Sequence, residues 1–290
     1  MNKTTGMERD QPDFEPVRLL LNNAPVDDFY GLSAAEIHHL LYDAYGDKSP
    51  LGLRSDIENS TLDEIPFFRM TEEFLKIIQR EKSIKLTPLG ALPRKVLREL
   101  YDLKFITEDI IEAGFSKLSR EQNSIALTTA HLIVLMSGVV KKTNGRLSLT
   151  KKGAQLLEPE QRFNLFTETL STYTDRFNWS SNDGYPQSPV GQLGWGFTVY
   201  LLEKFGSSEH TIEFYAEKYL RAFPKLLEFF PARPYGTPEG DFVNCYSVRT
   251  FERFLEWFGF VKVEHVHGMH GKQSDSVKRT DLFQEVFRFD

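Results

Sequence analysis

Two stretches of this chain can be written over one another, and their shared order constrains the fold more than any other feature. One runs His131-Leu-Ile-Val-Leu-Met-Ser-Gly138-Val-Val-Lys141, then a turn, then Leu149-Thr150-Lys-Lys-Gly153. The other runs Arg253-Phe-Leu-Glu-Trp-Phe-Gly259-Phe-Val-Lys262, a longer turn, then Arg279-Thr280-Asp-Leu-Phe283. A fainter third copy covers residues 71–92, with Phe74–Ile78 as the helix and Leu86-Thr87-Pro-Leu-Gly90 as the exit. Each reads as an apolar helix, a glycine stop, a β-hairpin, a threonine and a short helix. Asn144-Gly145 favours a tight two-residue turn in the first copy. The fold class expected is mainly α with small β-hairpins.

Other signals fill in the elements. Ser33-Ala-Ala-Glu36 has capping-box spacing, followed by Ile37, Leu40 and Leu41 at helical intervals. Thr71 is placed to cap a helix through about Arg80, and Ile84–Leu86 predicts a short strand. Pro93 suits the first turn of a helix that buries Val96, Leu97, Leu100 and Tyr101 and turns Arg94, Lys95 and Arg98 outward. Residues 46–66 read as a long connection. Residues 160–230 form an aromatic helical region whose rings predict a core, and Ser247–Phe258 predicts a helix stopped by Gly259. The expected division is a tail over residues 1–14, a helical domain over 15–158, and a helical segment with a C-terminal hairpin module over 159–290.

The order described is similar to the winged helix-turn-helix superfamily, whose wing hairpin ends in a Leu-Thr-x-x-Gly turn like Leu149–Gly153. The first two copies are also similar to uncharacterised bacterial proteins associated with mobile elements. The superfamily resemblance implies winged-helix-like modules and binding to double-stranded DNA. A reading helix would enter the major groove and wing cations would contact phosphates. Lys141, Lys142, Arg146, Lys151 and Lys152 match that phosphate role. Arg94, Lys95 and Arg98 are added from a second cationic stretch. Against base reading, residues 124–137 contain no Lys, Arg, Asn or Gln. Arg249 and Arg253 share their helix with Glu252 and Glu256. The same modules therefore also fit a protein-interaction scaffold, with a second copy or another protein as partner.

Charge supports a local rather than a global contact with a polyanion. The chain carries 35 Lys+Arg against 41 Asp+Glu, a formal charge of −6. Residues 82–98 and 141–152 each hold five basic residues and no acid, and residues 262–279 hold four basic residues against two acids. The remainder is strongly acidic. A protein that coats nucleic acid by net charge alone is thus excluded.

One cysteine, Cys245, excludes an intramolecular disulfide and any single-chain zinc site with two thiolates. The loop His265-Val-His267-Gly-Met-His270 is the one candidate metal cluster, although its spacing matches no familiar zinc pattern. Gly191-x-x-Gly194-x-Gly196 lacks the order of a dinucleotide loop. Pro238-Glu-Gly-Asp241 lacks the partner carboxylate and lysine of a nuclease. With no Gly-x-Ser-x-Gly, His-Glu-x-x-His or kinase signature, the reading leans away from an enzyme, a hydrolase without a visible motif stays as a third alternative, and no cofactor is expected. No apolar run approaches the roughly 20 residues of a membrane span, and the first residues lack a signal-peptide core, so a cytoplasmic setting and no membrane partner are expected.

Overall fold

A computed structural model describes residues 15–181, 183–267 and 273–289. The chain opens with α1 (Glu15–Asn23) and α2 (Ala34–Tyr42), then β1 (Leu51–Leu53) and α3 (Asn59–Asp63). The first complete unit follows: α4 (Pro66–Glu81), β2 (Ile84–Lys85), α5 (Arg94–Tyr101), α6 (Asp109–Glu112), α7 (Ile125–Met136), β3 (Val140–Thr143), β4 (Arg146–Leu149) and α8 (Lys151–Leu156). Next, α9 (Arg162–Ser171) runs on as a π-turn over Thr172–Arg176. The second unit comprises α10 (Trp195–Phe205), β5 (His210–Thr211), α11 (Ile212–Ala222), α12 (Pro238–Tyr246) with a π-helical continuation over Ser247–Leu255, β6 (Val261–His267), β7 (Gln273–Arg279) and α13 (Asp281–Val286). β8 (Phe287–Phe289) ends the described chain. The protein is mainly α-helical with small antiparallel hairpins.

The two units share one topology. In the first, the three-stranded order is β2-β4-β3; in the second it is β5-β7-β6. In both, the strand between the first two helices pairs with the returning arm of the hairpin. This corrects the third copy expected over residues 71–92. The short strand expected at Ile84–Leu86 is present as Ile84–Lys85, but it completes the sheet of the first unit, with Ile84 opposite Leu147 and Lys85 opposite Arg146, rather than belonging to a separate copy.

Local chemistry explains most element ends. Ser33 and Glu36 form the reciprocal capping box, the serine N–H donating to Glu36 Oε2 at 2.7 Å. Asn144 and Gly145 both take positive φ, 50° and 70°, as a tight hairpin turn requires. Thr150 caps α8, its Oγ accepting from the Gly153 N–H at 3.1 Å.

Three expectations are corrected. Thr71 does not start a helix: α4 begins at Pro66, where a missing N–H costs nothing, and the buried Thr71 hydroxyl donates to the Phe68 carbonyl instead. Residues 46–66 are not one connection, since Leu51–Leu53 pairs with Phe287–Phe289 from the far end of the chain. The helix expected from Ser247 is the π continuation of α12, which starts at Pro238 under a Thr237 cap.

The core is continuous and aromatic. Phe67, Tyr173, Phe254 and Phe258 pack ring on ring with centroids 5.2–5.7 Å apart. Tyr215, Tyr219, Phe242 and Tyr246 fill the second unit and are all buried. Rings of this size each bury a large apolar area and prefer such offset and edge contacts. The aromatic region over residues 160–230 is core, as its helical spacing predicts.

Candidate nucleic-acid interface

The three-stranded sheet of the first unit brings two cationic stretches together. Antiparallel pairing sets Lys85 opposite Arg146 and Thr143 opposite Arg146, while Lys141 lies opposite Ser148. Because side chains alternate along a strand, Lys85, Lys141 and Arg146 share the outward face. Lys142 lies on the other face, at its open edge, and its ammonium rests against Gly90. Arg146 Nε donates to Ser83 Oγ at 2.9 Å, holding the guanidinium over the end of β2. All four cations are exposed. Among the described residues none of Lys85, Lys141, Lys142 or Arg146 has an acidic partner.

The remaining cationic candidates divide. Lys151 is exposed on the first turn of α8. Lys152 is exposed but engaged by its neighbours, its ammonium donating to the Ser137 carbonyl at 3.0 Å and pairing with Glu168 at 2.7 Å. Arg94, Lys95 and Arg98 occupy the outer face of α5, opposite buried Val96, Leu97, Leu100 and Tyr101. Lys95 reaches Glu81 at 3.8 Å. Nearby, Arg80 pairs with Glu99 at 2.7 Å, and this hydrogen bond holds the Glu99 carboxyl below its ordinary range. Lys85 was not singled out by the sequence; strand alternation in Ile84-Lys85-Leu86 is the signal that would have found it.

The helix that would read bases is enclosed. No residue between Ile125 and Leu135 is exposed, and Met136 is the first to reach 40%. α7 packs against α4, α5 and the π-turn over Thr172–Arg176. Ile125 and Thr129 border a narrow cleft with Tyr173, Trp179, Arg253 and Trp257. His131, in the middle of α7, is buried and bonds through Nδ1 to Glu121 Oε1 at 2.7 Å; Glu121 Oε2 accepts from the Leu92 N–H at 2.6 Å.

The corresponding helix of the second unit is equally committed. Arg249 is 2% exposed and forms an ion pair with Asp183, whose carboxylate is also fully buried. Its remaining N–H groups donate to the Ser188 carbonyl at 2.9 Å and the Pro186 carbonyl at 3.1 Å. A buried charge so satisfied pins residues 183–190 to the π-helix and has no capacity left for phosphate. The Arg253 carbonyl accepts from the Tyr173 hydroxyl.

Burial pushes the Cys245 thiol up to about 12, with Arg249 opposing the shift. Among the described residues, no group of three or more His, Cys, Asp or Glu side chains is arranged to hold a metal ion. The side chains of His265 and His267, and all of His270, lie outside the described residues, as does the tail over residues 1–14. Among the described residues no helix is long and apolar enough to cross a membrane.

The fold thus defines a mainly helical protein with two hairpin-bearing units, one of which carries a cationic ridge. Residues 63–162 match the family model described as the Y4jL N-terminal domain, a span that encloses the first unit from α4 to α8. Comparison with curated proteins and with solved structures gives no match.

Proposed function

We propose that this is a non-enzymatic, nucleic-acid-associated protein whose first unit is a winged helix used for phosphate contact rather than base reading. The observation that carries the proposal is the meeting of Lys85, Lys141 and Arg146 on the outward face of one small sheet, with Lys142 exposed at its edge and no carboxylate partner for any of the four among the described residues. Such a cluster, on a chain of net charge −6, gives affinity through released counterions and orients the duplex backbone. The order helix, strand, helix, helix, hairpin and the β2-β4-β3 pairing support the winged-helix reading. Enclosure of α7 removes the usual base-reading element, so binding should be indifferent to sequence.

Fluorescence anisotropy with a labelled duplex tests this. Two unrelated duplexes should bind alike, with a log–log salt slope of about −3 to −4 for four neutralised phosphates. Lys141→Glu with Lys142→Glu should abolish binding. No binding at low salt would overturn the proposal.

A second reading rests on the enclosed α7 itself. A winged helix whose reading helix is core works as a packing unit, and an interaction scaffold needs no free reading helix. A co-purifying protein partner together with no duplex binding would favour it.

A further inference from the structure

We propose that the groove between the two units docks a cationic, amphipathic segment of a partner protein. This goes beyond the phosphate ridge, lies elsewhere, and stands or falls independently of it.

The groove has a volume of about 590 Å³ and runs between the α5–α7 connection and the π-helix that follows α12. Its apolar wall is built by Phe105, Ile106, Ile110 and Trp257. Ile110 is 64% exposed, and Phe115 on the same connection is 88% exposed. Large apolar side chains clustered on one surface excursion, rimmed by charge, are the usual make-up of a protein docking surface.

The charge of the rim selects the partner. Glu108, Asp109, Glu252 and Glu256 line the groove against a single cation, Arg253. Glu108 Oε1 accepts from the Ile125 N–H at 2.7 Å, which caps the start of α7. Its other oxygen, Oε2, is buried and accepts no hydrogen bond among the described residues. A carboxylate held beside the groove with no basic side chain bonded to it among the described residues favours a lysine or arginine docking nearby. A segment with apolar residues on one face and Lys or Arg on the other satisfies the wall and the rim together. A nucleic acid does not, because the rim repels phosphate.

The test uses a labelled model peptide of Leu and Lys in amphipathic helical order, with a Leu/Glu peptide of the same pattern as control. Binding is followed by anisotropy and by tryptophan emission. Trp179 and Trp195 are buried, so a spectral shift reports Trp257 at the groove. The wild-type chain should bind the cationic peptide saturably and ignore the anionic one. Asp109→Lys and Ile110→Asp, both at exposed positions, should each weaken binding by about tenfold or more. Asp56→Lys, in a separate acidic hollow beside α3 and α13, should leave it unchanged. Circular dichroism melts check that the variants are folded. No saturable binding, or equal weakening by Asp56→Lys, would overturn the proposal. So would a dimer in sedimentation that Ile110→Asp dissolves, since the groove would then belong to a second copy.

Discussion

The Thr280 hydroxyl donates to the Gly259 carbonyl oxygen at 2.7 Å, closing the second hairpin at its base. Thr150 does the same to Gly138 at 2.8 Å, and in both units the threonine N–H bonds the carbonyl of the residue after that glycine at 3.0 Å. Both glycines take positive φ, 72° and 74°, so the helix turns sharply into the strand where the threonine can hold it. Thr280→Val should cost about 0.5–1.5 kcal/mol in denaturant melts. Thr150→Val should cost more, because Thr150 also caps α8 and Thr280 makes no side-chain cap. Equal losses would contradict this division of roles.

Gly153→Ala should destabilise, although alanine is the better helix former. A Cβ there would lie 2.0 Å from the Val139 carbonyl oxygen, and backbone cannot step aside cheaply. The expected loss is about 1–3 kcal/mol by urea unfolding. A gain of stability would show that the α8–β3 contact is looser than described.

Arg249→Leu should cost about 3–5 kcal/mol, since it strands the buried Asp183 carboxylate. Adding Asp183→Asn should recover part of that loss. Thermal melts of the single and double variants measure the coupling; strict additivity would argue against a direct pair.

Cys245 should resist thiol reagents while the protein is folded. It is fully buried, and a pKa of about 12 leaves roughly one thiolate in 100,000 at neutral pH. Ellman's reagent should therefore label it only in denaturant. Fast labelling of the native protein would mean that the region around α12 opens readily.

Acid should weaken the α4–α5 contact in a defined direction. Arg80 lowers the Glu99 pKa, so the folded state binds that proton less readily than the unfolded chain. The stabilisation is fully present above the ordinary glutamate range and is lost as pH falls through the lowered value. Melts of Arg80→Gln and wild type should differ near neutrality and converge at low pH.

What could be read in advance was whatever depends on neighbours in sequence. The capping box at Ser33, the Asn144-Gly145 turn, the threonine after each hairpin and the buried face of α5 all sit within a few residues of the groups they serve. Thr71 shows the limit of that logic: a capping residue type became a core residue because Pro66 had already started the helix. The pairing of Ile84–Lys85 with β4, and of Arg249 with Asp183, joins segments about sixty residues apart, and no periodicity records such a partner. The cationic ridge was half visible. Its lysines stood in two runs, but only the strand register set Lys85 beside Arg146.

The pairing of Leu51–Leu53 with Phe287–Phe289 has a consequence for biogenesis. During synthesis the early strand emerges long before its partner, and it must wait, unzipped, until that distant strand has left the ribosome. Closing so wide a loop is slow. The last three described residues therefore act as a clasp, and a nascent chain halted short of them would carry an apolar ribbon open to the wrong company.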